Sequence, residues 1–194
     1  MIYYIADTHF GHANILKFDN RPFETVEEME SVLIKNWNEK VKNQDKVYIL
    51  GDFCWGLSEY WLKILNKLNG QKFLIRGNHD AKRINAKVKK KFIYIKDYDE
   101  ITDEGRRVIL SHYPILCYNK DHRTNVYMLH GHIHNTAENT QLEQIKKYIK
   151  SEKDERKVSN QCNLYNVGCM MPYMNYTPRT LDEIITSDAD NRKE

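Results

Sequence analysis

Short apolar runs alternate with longer amphipathic or charged stretches along this chain. Ile2 to Ala6, Lys46 to Leu50, Phe73 to Arg76, Val108 to Leu110 and Val126 to Leu129 each read as a strand. Between the first two runs, Val26, Met29, Leu33, Trp37 and Val41 recur at spacings of three and four. That period predicts a helix with one buried stripe, opening at Thr25. Thr25 with Glu28 fits a capping box, and Glu27, Glu28 and Glu30 suit the positive end of the helix dipole. A second helix is predicted from Ser58 to Leu68, with Ser58 as N-cap. Trp61, Leu62, Leu65 and Leu68 form its apolar face, and Asn69-Gly70 ends it. With parallel strands on either side, this unit is a right-handed crossover.

Later in the chain, Phe92 to Ile95 and Arg107 to Leu110 read as strands, with Asp103-Glu104-Gly105 turning between them. Asn135 to Gln161 contains a polar helix with a narrow stripe of Leu142, Ile145 and Ile149. Asn163 to Val167 reads as a late strand. The alternation of strands and helices predicts an α/β sandwich. No linker or repeat interrupts it, so one domain is expected over 1–186, followed by a polar tail over 187–194.

The strand ends carry the chemistry. The first run ends in Asp7-Thr8-His9, the second in Gly51-Asp52, the third in Gly77-Asn78-His79-Asp80. The fourth ends in Ser111-His112, and the fifth leads into His130-Gly131-His132-Ile133-His134. Open α/β sheets bind ligands at the carboxyl ends of their strands. If the backbone stays extended past Leu129, His132 and His134 project to one side and make half of a metal site.

This ordered set resembles the calcineurin-like metallophosphoesterases. It spans Asp7 to His134, with Ser111 standing where the family usually has Gly. His9-Phe10-Gly11-His12 and Arg21-Pro22-Phe23 also resemble compact phosphoesterases of phages and bacteria. The resemblance implies two mixed β-sheets packed face to face with helices outside. It implies two divalent metal ions, with Mn expected first and Fe, Zn or Ni also compatible. Asp7, His9, Asp52 and His134 would hold one ion, and Asp52, Asn78, His112 and His132 the other, with Asp52 bridging. His79 would act on the leaving-group side, oriented by Asp80, while a bridging hydroxide attacks phosphorus.

Other residues leave alternatives open. Arg21 is a candidate phosphate clamp or a helix-entry residue, and His12 touches substrate or lines the loop. His130 supports the site or caps its strand. The loop from Tyr113 to Asn125, with Tyr118, His122 and Arg123, is a candidate substrate wall. The segment 135–161 is a lid, a partner surface or a surface helix. Lys87, Lys89, Lys90 and Lys91 form either a solvated helix face or a grip for a nucleic-acid backbone.

Length and composition narrow the functional classes. At 194 residues and 41% hydrophobic, the chain can bury a core, and no apolar run reaches the length of a membrane helix. Cys54, Cys117, Cys162 and Cys169 form no Cys-x-x-Cys pair and are expected reduced; Cys54, close to Asp52, is a possible site of oxidative inactivation. Met1 leads straight into a strand, so a cytoplasmic location is expected. The net charge of +3 favours a small phosphate ester over a polymeric one, and a phosphodiesterase acting on small nucleotide-like substrates is expected. A metal-dependent nuclease is the rival within this chemistry. A non-catalytic scaffold is the rival outside it, although all seven ligand positions hold the expected residue types.

Overall fold

The structure, a computed structural model, describes residues 1–152 and 161–191. Strands β1 (Ile2–Ile5), β2 (Lys46–Leu50), β3 (Gln71–Ile75) and β4 (Tyr94–Lys96) form one sheet in that order, every pair parallel. Strands β5 (Tyr98–Asp103), β6 (Arg106–Ser111), β7 (Val126–His130) and β8 (Leu164–Asn166) form the second. Only the β5–β6 pair is antiparallel. One sheet is therefore parallel and the other mixed, where two mixed sheets were expected. The crossovers in the first sheet run through α2 (Val26–Lys40), α3 (Ser58–Leu65) and the short α4 (Ala86–Lys89), and a single turn, α1 (Ile15–Phe18), precedes α2.

Side chains alternate across each strand, so a strand covered on both faces is apolar throughout. Tyr4, Ala6, Tyr48, Leu50, Phe73 and Ile75 turn inward and meet Val108, Leu110, Leu129, Tyr165 and Val167 of the second sheet. Tyr3, Ile5, Val47, Ile49 and Leu74 turn outward under Met29, Leu33 and Trp37 of α2 and Trp61 and Ile64 of α3. On the far side, Ile109, Met128 and Leu164 pack against Leu142 of α5 (Ala137–Ser151). The result is the expected sandwich of two sheets with helices outside. The sheets are tied at one corner, where the Ala6 N–H donates to Val167 O (2.8 Å) and the Cys169 N–H to Ala6 O (2.9 Å).

Local signals mostly fall where the periodicity put them. Thr25 caps α2 by accepting from the Glu28 N–H at 3.1 Å, while the Glu28 carboxylate reaches the Glu24 N–H instead of Thr25. The helix α3 is shorter than expected and is not capped by Ser58. Leu57 is its N-cap, and the Ser58 hydroxyl donates to the Arg83 carbonyl at 2.7 Å. Strand β5 lies where no strand was expected, and it, not the 92–95 run, is the hairpin partner of β6. Lys87, Lys89, Lys90 and Lys91 are exposed around the short helix α4 (Ala86–Lys89), whose one buried residue is Val88. Helix α6 (Leu181–Asn191) carries through most of the segment expected as a polar tail; 192–194 lie outside the described residues. The expected segment 135–161 is helical over α5, and its 153–160 stretch also lies outside them. Among the described residues, no helix is long and apolar enough to cross a membrane.

Candidate metal centre

Five strands deliver their carboxyl ends to one place. Asp7 and His9 follow β1, Asp52 follows β2, and Asn78 and His79 follow β3. His112 follows β6, and His132 and His134 follow β7. The chain does not stay extended there. Asp7, His9, Asp52, His132 and His134 all adopt positive φ, between 48° and 70°. That region is costly for side-chain-bearing residues, and its concentration at one site marks a functional constraint. Strand β7 ends at His130, so the expected alternation does not aim His132 and His134; the left-handed turns do.

Backbone contacts hold these turns in place. The Asp7 N–H donates to Gly51 O and the His9 N–H to Asp52 O, each at 3.0 Å. Two glycines leave room for the carboxylates. A Cβ at Gly77 would stand 2.1 Å from Asp52 Oδ1, and one at Gly131 would stand 2.4 Å from Asp7 Oδ2. The His132 N–H donates to both Asp7 oxygens at 3.0 and 3.2 Å, and the His79 N–H donates to Asp52 Oδ1 at 3.0 Å.

The remaining spacings fit a divalent cation. Asp52 Oδ2 lies 3.8 Å from His9 Nε2, 3.6 Å from His112 Nε2 and 3.9 Å from His79 Nε2. Asp7 Oδ1 lies 3.9 Å from His134 Nε2. These distances are too long for hydrogen bonds and lie within the about 4 Å that two coordinate bonds of about 2 Å span at most. His9 Nε2 is buried without a partner. Donor atoms of Asp7, His9 and His134 lie within 4.8 Å of one another, as do those of Asp7, Asp52 and His112. Asp7 is common to both groups, whereas the resemblance gave the shared role to Asp52. Asn78 joins the second group through Oδ1, 3.0 Å from His112 Nε2, and the His132 ring sits 5.0 Å from that of His112.

Without a cation this arrangement is electrostatically uncomfortable. Burial pushes the Asp7 carboxyl up to about 7, with the Asp52 charge adding to the shift, and burial holds His9 well below the usual imidazole range. Neutral imidazoles beside desolvated carboxylates are the donor set that borderline divalent ions take.

Outer partners fix two of the rings. His112 Nδ1 donates to Leu50 O at 2.8 Å, and His134 Nδ1 donates to Asp19 Oδ1 at 2.8 Å, so each turns Nε2 into the site. Asp19 is the functional residue that sequence reasoning missed. Its one signal, an acid two residues before Arg21 in a loop, has no meaning until the loop folds back. Asp19→Asn is expected to weaken metal binding by about 10–100-fold. Competition with a metal-binding dye reads this directly, and unchanged affinity would remove Asp19 from the site.

Three sequence-based roles are corrected. Arg21 is not a phosphate clamp: its side chain is wholly buried, and it binds Asp19 and donates to Asp7 O at 2.8 Å and Thr8 O at 3.2 Å. It braces the β1 turn. Asp80 does not orient the His79 ring. It is buried and accepts from the N–H groups of Asp52 (3.0 Å), Phe53 (3.0 Å) and Gly77 (2.8 Å), which ties the β2 and β3 turns together. Cys54 is buried, and burial pushes its thiol up to about 12, which disfavours the reactive thiolate.

The other candidates divide by exposure. His79 is 42% exposed through its side chain and packs on Trp55, while His12 stacks flat on Trp55 and its ring lies 5.4 Å from that of His9. His130 is buried, bonded to Gly131 O, and pushed down to about 3 by burial. Of the loop expected as a substrate wall, Tyr118 belongs to the core. Exposed Tyr113, by contrast, packs its ring 4.5 Å from that of His132.

An α/β sandwich thus gathers an Asp, Asn and His cluster across its strand ends, a donor set that could hold metal ions. The chain belongs to the calcineurin-like phosphoesterase family, which it matches over residues 1–164. It is 44% identical over 137 residues to the uncharacterized protein MJ1445 of Methanocaldococcus jannaschii, covering 69% of each chain. It is 26% identical over 162 residues to the gene 66 protein of Mycobacterium phage L5, covering 68% of this chain and 76% of that one. Among solved structures it resembles AQ665 of Aquifex aeolicus, a protein of unknown function. That match has a TM-score of 0.67 at 29% identity and covers 96% of this chain and 98% of that one.

Proposed function

We infer that this protein hydrolyses small nucleotide-like phosphodiesters with two divalent ions, Mn foremost. The carrying observation is the convergence of buried Asp7 and Asp52 with four imidazoles and Asn78, while His79 remains open to solvent. Divalent ions bound there would neutralise phosphoryl oxygens and supply a nucleophile at neutral pH. Asp7, His9, Asp52 and His134 would hold one ion, and Asp52, Asn78, His112 and His132 the other. Two carboxylates against two dications leave the site positive, which attracts a phosphate anion. His79 stands at the rim, where its imidazole can donate a proton to the departing oxygen. Its backbone N–H to Asp52 sets that position, while Asp80 secures the same turn from below.

We place this activity in the cytoplasm, in keeping with cysteines that form no disulfide among the described residues. The rival nuclease reading draws on the exposed lysines of the 87–91 segment. The scaffold reading is weakened because every expected ligand type is in place.

Chelation is expected to abolish hydrolysis of bis(p-nitrophenyl) phosphate, and Mn to restore it. Full activity after metal removal, confirmed by elemental analysis, would overturn the reading. A steep fall of binding with salt on single-stranded or double-stranded substrates would favour the nuclease instead.

A further inference from the structure

The clamp role that Arg21 does not fill has another candidate beside His79. Arg83 ends the 3₁₀ turn Ala81–Arg83. Its guanidinium carbon lies 4.3 Å from the Trp55 ring centroid, and one of its N–H groups donates to the His79 carbonyl. Trp55 stacks on His12 at 4.0 Å and 7°, and its ring lies 4.8 Å from that of His79. The indole is thus taken up by His12 and Arg83, which makes it a platform for the guanidinium.

Arg83 has five N–H donors, and one of them is engaged among the described residues. It is partly exposed, as is Trp55. From Asp52 the contacts run first to His79 and then to Trp55 and Arg83. Arg83 is therefore a neighbour of His79, the residue read as the leaving-group acid, and among the described residues it has no hydrogen bond or ion pair with Asp7 or Asp52. Lys82, Lys87, Lys89, Lys90 and Lys91 are exposed along the same segment, and no acidic residue occurs between Ala81 and Lys96.

We propose that Arg83, seated on Trp55, is a subsite for a second phosphate carried by the leaving group. This rests on the phosphoesterase reading, which puts His79 on the leaving-group side. A guanidinium fork matches a phosphate with paired donors, and the neighbouring lysines add a field of the same sign.

The test is fluorescence titration of the metal-loaded protein with thymidine 3′,5′-bisphosphate and with thymidine 5′-monophosphate, phosphate release being assayed alongside. Trp37 and Trp61 are fully buried, so partly exposed Trp55 is the tryptophan that reports. The bisphosphate is expected to bind at least about tenfold more tightly, as one charge-assisted contact provides. Arg83→Gln should collapse that ratio towards one, and Arg83→Lys should restore part of it. An unchanged ratio in Arg83→Gln, or equal weakening of both ligands, would overturn the proposal; equal weakening would mean that Arg83 acts only through the His79 carbonyl. Hydrolysis of bis(p-nitrophenyl) phosphate without any bisphosphate preference in the wild type would sink the subsite alone. A preference without metal-dependent hydrolysis would sink the phosphoesterase reading and, with it, the leaving-group assignment, leaving Arg83 as a phosphate-binding residue only.

Discussion

Asp52→Asn is expected to be the most damaging single substitution. Oδ2 of this buried carboxylate faces three imidazole Nε2 atoms at 3.6, 3.8 and 3.9 Å, while Oδ1 receives the His79 N–H. An amide keeps the shape but removes one of the two anionic ligands, and it presents an NH₂ where an acceptor is needed. The loss of metal affinity should exceed the about 10–100-fold that removing an outer partner costs. Both sites should lose occupancy, with hydrolysis falling in parallel. A variant that kept both metals and near wild-type turnover would show that Asp7, which belongs to both donor groups, is the shared ligand instead.

His79→Ala should separate chemistry from assembly. The side chain is half exposed, and the His79 contact to Asp52 that shapes the turn comes from its backbone N–H, which alanine retains. Metal content should therefore stay at the wild-type level. Turnover should fall by about 10²–10⁴-fold where proton donation limits the rate. Esters with alkoxide-like leaving groups should show the larger loss, and p-nitrophenyl esters the smaller, because phenolate leaves without a proton. Rates on the two substrate types, with metal analysis alongside, decide the matter. An equal loss on both would mean that His79 stabilises phosphoryl charge, and loss of metal would place it among the ligands.

The framework was legible in the sequence because the buried strands are apolar on both faces. β1, β2, β3 and β7 stand out as runs bounded by Asp, Asn or His. Strand β5 was hidden because Tyr98, Asp99 and Glu100 place polar groups along an edge, where Glu100 pairs with Arg107. The site residues were legible as an ordered set, but their geometry was not. No periodicity announces the positive φ of His132 and His134. The roles of Arg21 and Asp19 could not be read because an isolated Arg in a loop carries no sign of which way it folds. Here it turns inward and takes Asp19 with it, while Arg83, one cation in a basic run, is the arginine left beside His79.

The most direct measurement is anomalous diffraction from crystals of the Mn-loaded protein. Two peaks about 3.5–4 Å apart are expected. The Asp52 carboxylate should lie between them, with His9 and His134 at one and Asn78, His112 and His132 at the other. A single peak, or peaks remote from Asp52, would contradict a dinuclear centre built on the ends of these strands.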